Sequence, residues 1–140
     1  MNPYIRKVQY HETDMMGIAH HANYIRWMEE ARVDFMEQIG YPYSRMEAEG
    51  VLSPVRALSC QYRKPCTFDD TVEISVAAES FNGVVLTVRY VMRKSGEVIC
   101  EARSEHVFVK KGGGIARARR DLPEFCAAID ALIEQASQES

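Results

Sequence analysis

The stretch His21-Ala22-Asn23-Tyr24-Ile25-Arg26-Trp27-Met28-Glu29-Glu30-Ala31-Arg32-Val33-Asp34-Phe35-Met36-Glu37-Gln38-Ile39 decides the fold. Tyr24, Trp27, Met28, Ala31, Phe35 and Ile39 recur at steps of three and four, so they line one side of a helix. Gly40 and Pro42 end it, because glycine accepts the left-handed cap and proline cannot continue the ladder. A stripe that carries a tryptophan, a phenylalanine and methionines predicts a central helix. Arg26 with Glu30, and Glu29 with Arg32, have the spacing of surface ion pairs, which gives these acids a solvated role.

Upstream, Tyr4 to Tyr10 is rich in aromatic and β-branched residues and predicts an opening strand; His11 to Gly17 reads as a loop. Downstream, Ser44 to Gly50 predicts a short helix, with Ser44 and Glu47 spaced as a capping box. The period then changes to two. Val72, Ile74, Val76 and Ala78 alternate with polar or small residues, as do Val84, Leu86, Val88, Tyr90 and Met92. Lys94-Ser95-Gly96-Glu97 predicts a hairpin turn, followed by a strand through Val98, Cys100, Ala102, Ser104, His106 and Phe108. After the basic, glycine-rich Lys110 to Gly114, the run Asp121-Leu122-Pro123-Glu124 predicts a terminal helix over about 122–136, with the last four residues frayed.

Strands that follow one another without intervening helices make an antiparallel sheet. The order predicts an α+β architecture, one long helix against a sheet of about five strands, in a single domain over residues 1–140. The uncovered face and edges of such a sheet are expected to carry apolar side chains and to recruit a second copy, as a dimer or tetramer.

Composition limits the function classes. Hydrophobic residues at 46% and charged residues at 26% describe a folded protein, and a net charge of −3 supplies no general field for nucleic acid. No apolar run follows Arg6 and Lys7, and no stretch approaches the roughly 20 apolar residues of a membrane span, so a cytoplasmic protein without membrane insertion is expected. Cys60, Cys66, Cys100 and Cys126 form no Cys-x-x-Cys pair and read as buried hydrophobes or free thiols.

The segment Tyr10-His11-Glu12-Thr13-Asp14-Met15-Met16-Gly17-Ile18-Ala19-His20-His21-Ala22-Asn23-Tyr24, continuing through Trp27-Met28-Glu29-Glu30-Ala31-Arg32, resembles the signature of the 4-hydroxybenzoyl-CoA thioesterase family of hotdog proteins. It is similar to the acyl-CoA thioesterase branch associated with the Tol-Pal system. Gly50 to Val55, Tyr62-Arg63-Lys64-Pro65 and Phe68-Asp69-Asp70 agree with it, so the likeness spans Tyr4 to about Val109. The resemblance implies a hotdog fold, active sites at the interfaces of a homodimer that assembles into a homotetramer, and hydrolysis of acyl-CoA to acid and free CoA. By motif position it implies Asp14 as the catalytic carboxylate and His21 as the residue whose backbone N–H polarises the thioester carbonyl. It further implies Leu52 and Ser53 as a second contact from the facing strand, and the basic residues after the last strand, Arg117, Arg119 and Arg120, as nucleotide contacts. The pattern is loosest at Glu12 and His20, which leaves the acyl preference open.

The residues themselves can perform that chemistry. Thioester hydrolysis needs a nucleophile or base and a donor for the developing oxyanion. A turn through Gly17 brings Asp14 beside the first turn of the helix, where free N–H groups and the helix dipole form an anion site. Asp14 would attack directly, giving a mixed anhydride, or act as base toward water. Taken alone, Asp14 also reads as an Asx-turn or N-cap residue. Asn23 reads as a cap or as a residue that steadies Asp14 or orders water. His20 and His21 open the helix, with His20 a candidate substrate contact, as is Gly17; no HExxH spacing or third ligand accompanies them. No metal is expected, and no cofactor beyond CoA as part of the substrate. Arg63 and Lys64 at a strand end are further candidates for its phosphates. Competing readings are a hotdog hydratase or dehydratase using His21 and Glu29, and a non-catalytic acyl-CoA binding protein.

Overall fold

The computed structural model describes residues 1–139. In chain order its elements are β1 (Tyr4–Lys7), α1 (His21–Gln38), α2 (Tyr43–Ala48), β2 (Val51–Leu52), β3 (Val55–Tyr62), β4 (Thr71–Phe81), β5 (Leu86–Lys94), β6 (Glu97–His106), β7 (Val109–Lys110), α3 (Ala118–Asp121) and α4 (Pro123–Glu139). The period-two segments pair as that pattern requires, in a five-stranded antiparallel sheet ordered β1-β4-β5-β6-β3, and β2 pairs with β7 in a separate ribbon. The β5–β6 turn holds Ser95 at φ 49° and Gly96 at φ 80°, the left-handed pair that matches the twist of a tight hairpin.

The helical stripe does what its period predicts. Tyr24, Trp27, Met28, Ala31 and Phe35 of α1 are buried in one cluster with Val72, Ile74, Tyr90, Met92, Cys100 and Ala102 from the sheet. Each large side chain so buried contributes about 1.5–3 kcal/mol. Gly40 at φ +80° then turns the chain away. A long helix wrapped by an antiparallel sheet is the hotdog fold. α4 adds a second layer through Phe125, Cys126 and Ile129, with Phe125 against Tyr41 and Phe108 at ring distances of 5.3 and 5.8 Å.

Several local expectations are corrected. β1 stops at Lys7, and Tyr10–Glu12 forms a 3-10 turn instead of extending the strand. The N-cap of α2 is Pro42, so Ser44 lies inside the helix and builds no capping box. β5 starts at Leu86 because Asn82 captures the N–H groups of Val84 and Val85 with its side-chain oxygen at 2.9 and 2.8 Å and closes a turn there. Asp121 caps nothing in α4; its carboxylate accepts from Arg117 N at 2.9 Å and closes α3, while α4 opens on Pro123 and runs to Glu139. The anticipated helix-surface ion pairs are absent among the described residues. Glu30 instead accepts from Tyr4 and Arg6, Arg26 donates to Asn23, and Arg32 turns inward to Tyr43 and Tyr90.

The outer face of the sheet also differs from expectation. Ion pairs lace it: Arg103–Glu79 at 2.9 Å, Arg89–Glu101 at 3.1 Å and Arg56–Glu105 at 2.9 Å. Exposed apolar side chains include Val55, Leu58 and Tyr62 along the β3 edge, with Leu58 44% exposed, and, away from it, Met15, Met16, Val84 and Ile115. Among the described residues no helix is long and apolar enough to cross a membrane. The cysteines are free, with Cys66, Cys100 and Cys126 buried and Cys60 half-buried.

Candidate active site

The loop before α1 is built around an acid that the sequence did not single out as structural. Glu12 is 4% exposed, and its carboxylate accepts from Arg6 Nη2 (2.9 Å), Gln9 N (2.8 Å) and the indole Nε1 of Trp27 (2.8 Å). Its carbonyl accepts from His20 N and from Asn23 Nδ2, both at 2.8 Å. One residue thus ties β1, the loop and the start of α1 together. Glu12→Ala strands a buried indole N–H and leaves Arg6 with Glu30 as its one acidic partner among the described residues, and is expected to cost about 3 kcal/mol, a drop in Tm of about 10 °C. Urea unfolding checks this, and a loss below about 1 kcal/mol would remove Glu12 from its place at the centre of the loop.

Around that anchor the loop folds back. Gly17, at φ +78°, donates its N–H to Asp14 O at 2.9 Å, and its carbonyl accepts from Thr67 Oγ1 at 2.6 Å. Asp14 Oδ1 accepts from Met16 N at 2.8 Å, so the Asx-turn reading of this residue is realised. Its Oδ2 accepts no hydrogen bond among the described residues.

The first turn of α1 has a vacancy of its own. The ring Nδ1 of His20 accepts from Ala22 N at 3.2 Å, and the His20 carbonyl accepts from Asn23 N at 3.0 Å. The N–H of His21 has no acceptor among the described residues. It is one of the orphan donors every helix start carries, placed where the dipole is positive. His21 is also fixed from below, since its carbonyl accepts from Tyr62 OH at 3.1 Å. The Tyr62 hydroxyl is held protonated, its pKa raised by burial and by Cys60.

Asp14 and His21 line one cavity of about 340 Å³ with Met16, Ile18, Tyr24 and Tyr62, and with Arg63 and Lys64 in the wall. Arg63 Nε is held by Glu101 at 2.6 Å and Lys64 by Glu97, so both cations are already engaged. Gly17, His20 and Asn23 stand beside this cavity and build it without lining it. Leu52 and Ser53 line a separate cavity of about 300 Å³ with Tyr43, Met46 and Val51. Arg117 and Arg119 line a third, largely apolar one of about 590 Å³. Arg119 is spoken for, paired with Asp130 at 2.6 Å and stacked 4.9 Å from the Phe81 ring, and Arg120 pairs with Asp121; the Arg117 side chain has no partner among the described residues. No group of three or more His, Cys, Asp or Glu among the described residues is placed to hold a metal ion.

A long helix wrapped by an antiparallel sheet, with the likenesses that follow, places the chain among the hotdog-fold thioesterases as a class of enzyme. Over residues 8–131 the chain matches the thioesterase-like superfamily, and it belongs to that family. It is similar to an Aquifex aeolicus protein provisionally named an esterase, 38% identical over 78% of this chain and 85% of that one. A Bacillus subtilis protein provisionally named an acyl-CoA thioesterase is 40% identical over 75% of this chain and 77% of its own length. Among solved structures, a DHNA-CoA thioesterase from Staphylococcus aureus superposes with a TM-score of 0.93 at 26% identity, covering 99% of this chain and 95% of that one.

Proposed function

We propose that this chain hydrolyses acyl-CoA thioesters to a carboxylic acid and free CoA, with Asp14 and the His21 N–H acting from one subunit and the Leu52–Ser53 wall closing the site from a second copy. The observation that carries this reading is that Asp14, with Oδ2 unengaged, and His21, with its N–H unengaged, line one cavity. A thioester carbonyl docked on that N–H is polarised as its oxygen gains charge. Asp14 Oδ2 either attacks the carbonyl carbon or takes a proton from the water that does. In both routes the C–S bond breaks and CoA leaves as thiolate and is protonated. In base catalysis water supplies the new acid oxygen. After direct attack water opens the anhydride at the Asp14 carbonyl, so the acid leaves with an Asp14 oxygen and the water oxygen replaces it in Asp14.

Topology supports the second copy. β3 runs from Val55, beside the Ser53 cavity, to Tyr62, in the Asp14 cavity, and its outer edge is unpaired. Antiparallel pairing of this edge with itself sets the Tyr62 end of one chain against the Val55 end of the other, bringing an Asp14 half to a Ser53 half. The Ser53 and Arg117 cavities share Val109, so the unpartnered Arg117 lies on the side from which the CoA phosphates would be held. Pairs of such dimers complete the homotetramer of this reading. The motif Tyr10 to Arg32 supports a place beside the Tol-Pal-associated branch, and a cytoplasmic setting suits a substrate as charged as CoA.

Thiol release from a panel of short, aromatic and long acyl-CoAs tests the reading. Release from at least one of them is expected. Tight binding with no release from any would make this a binding module, and water added to an enoyl-CoA would make it a hydratase. Leu58→Lys places a charge on the β3 edge and is expected to give a monomer by sedimentation, with thiol release down by on the order of tenfold or more; an active monomer would refute the shared site.

A further inference from the structure

The start of α1 is held from two sides. On the loop side the Glu12 carbonyl accepts from His20 N and from Asn23 Nδ2, both at 2.8 Å. On the sheet side the Tyr62 hydroxyl lies 3.1 Å from the His21 carbonyl oxygen. A carbonyl only accepts, so the hydroxyl donates. Among the described residues no other side chain from the sheet hydrogen-bonds the backbone of that first turn.

The tether is anchored at both of its ends. Tyr62 is the last residue of β3 and pairs with Cys100 of β6, and just beyond it Arg63 N donates to Ile99 O at 2.9 Å. The Tyr62 ring meets Tyr24 edge to face at a centroid distance of 5.0 Å and the His21 ring at 6.2 Å. His21 and Tyr24 are three residues apart and share one face of the helix, so these contacts aim the hydroxyl at the helix end. The His21 carbonyl also serves Ile25 N–H in the helix ladder, and with two lone pairs it accepts both bonds.

Helix starts fray, because their first N–H groups lack acceptors in the helix itself. The His21 N–H is one of these, and an oxyanion donor works only from a fixed position, since misplacement by about 1 Å costs on the order of 10²-fold. We infer that the Tyr62 hydroxyl is a positioning group for hydrolysis: by binding the His21 carbonyl to the end of β3, it fixes the His21 N–H in the Asp14 cavity that Tyr62 also lines. The catalytic part of this inference rests on the hydrolase reading; the tether stands on the geometry alone.

Tyr62→Phe removes the hydroxyl and keeps both ring contacts. Amide exchange at Tyr24 and Ile25, the first N–H groups of the α1 ladder, is expected to quicken by on the order of fivefold; unchanged exchange overturns the tether. With an acyl-CoA that the wild type hydrolyses, kcat should fall by on the order of fivefold with KM unchanged, and an unchanged kcat overturns the catalytic part. A double-mutant cycle with His21→Pro separates positioning from direct contact with substrate. Proline at this position removes the N–H that the hydroxyl serves, so adding Y62F to H21P is expected to cost no further kcat. Losses that multiply would mean that the hydroxyl acts on the substrate itself, and would overturn the inference. Should the wild type release thiol from no acyl-CoA, the hydrolase reading falls, and the exchange measurement still decides whether Tyr62 tethers α1.

Discussion

Asp14→Asn is expected to lower kcat for acyl-CoA hydrolysis by roughly 10²- to 10⁴-fold. The substitution is nearly silent structurally. Asparagine keeps the oxygen that accepts from Met16 N at 2.8 Å, so the turn through Gly17 survives, and only the charge on the unengaged oxygen is lost. KM should stay within a few-fold, and the melting curve should overlay that of the wild type. Thiol release followed beside thermal unfolding makes the comparison; an undiminished rate would take Asp14 out of the chemistry. Oxygen-18 from labelled water found in Asp14 after a single turnover would separate direct attack from base catalysis.

His21→Pro is the second large effect, and it isolates one atom. The proposed role belongs to the backbone N–H, so His21→Ala should retain most of the activity. Proline removes that N–H and should lower kcat by about 10²- to 10³-fold, as loss of an oxyanion donor does. The fold tolerates the change because His21 is the first residue of α1, where proline is favoured, and His20 already has the extended backbone a following proline demands (φ −65°, ψ 138°). Matching circular dichroism with lost turnover is the expected outcome. Comparable rates for the alanine and proline variants would show that this donor does not hold the carbonyl.

Periodicity made the core legible. The α1 stripe and the alternation in β4, β5 and β6 report burial on one face, and burial follows directly from residue spacing. Polar pairing did not follow, because nothing local encodes it. Arg32 has an acid three residues away at Glu29, yet it reaches Tyr90, 58 positions along the chain. Glu12 finds Trp27 and Arg6 for the same reason: a carboxylate removed from water must be satisfied by whichever donors the packed chain brings to it. The motif marked Asp14 and His21, and the structure sets them on one cavity. It leaves Leu52 and Ser53 on a second cavity and Arg117 and Arg119 on a third, a placement that residue spacing does not encode.

The pairing proposed for the open flank of β3 would make abundance a variable of the site itself. A strand whose outward N–H and C=O groups lack partners is bound by mass action, so a chain at low copy number would turn over substrate more slowly per molecule than the same chain at high copy number. Dilution would then work as an off switch that needs no inhibitor, and a truncated decoy carrying only this ribbon would poison the full-length protein.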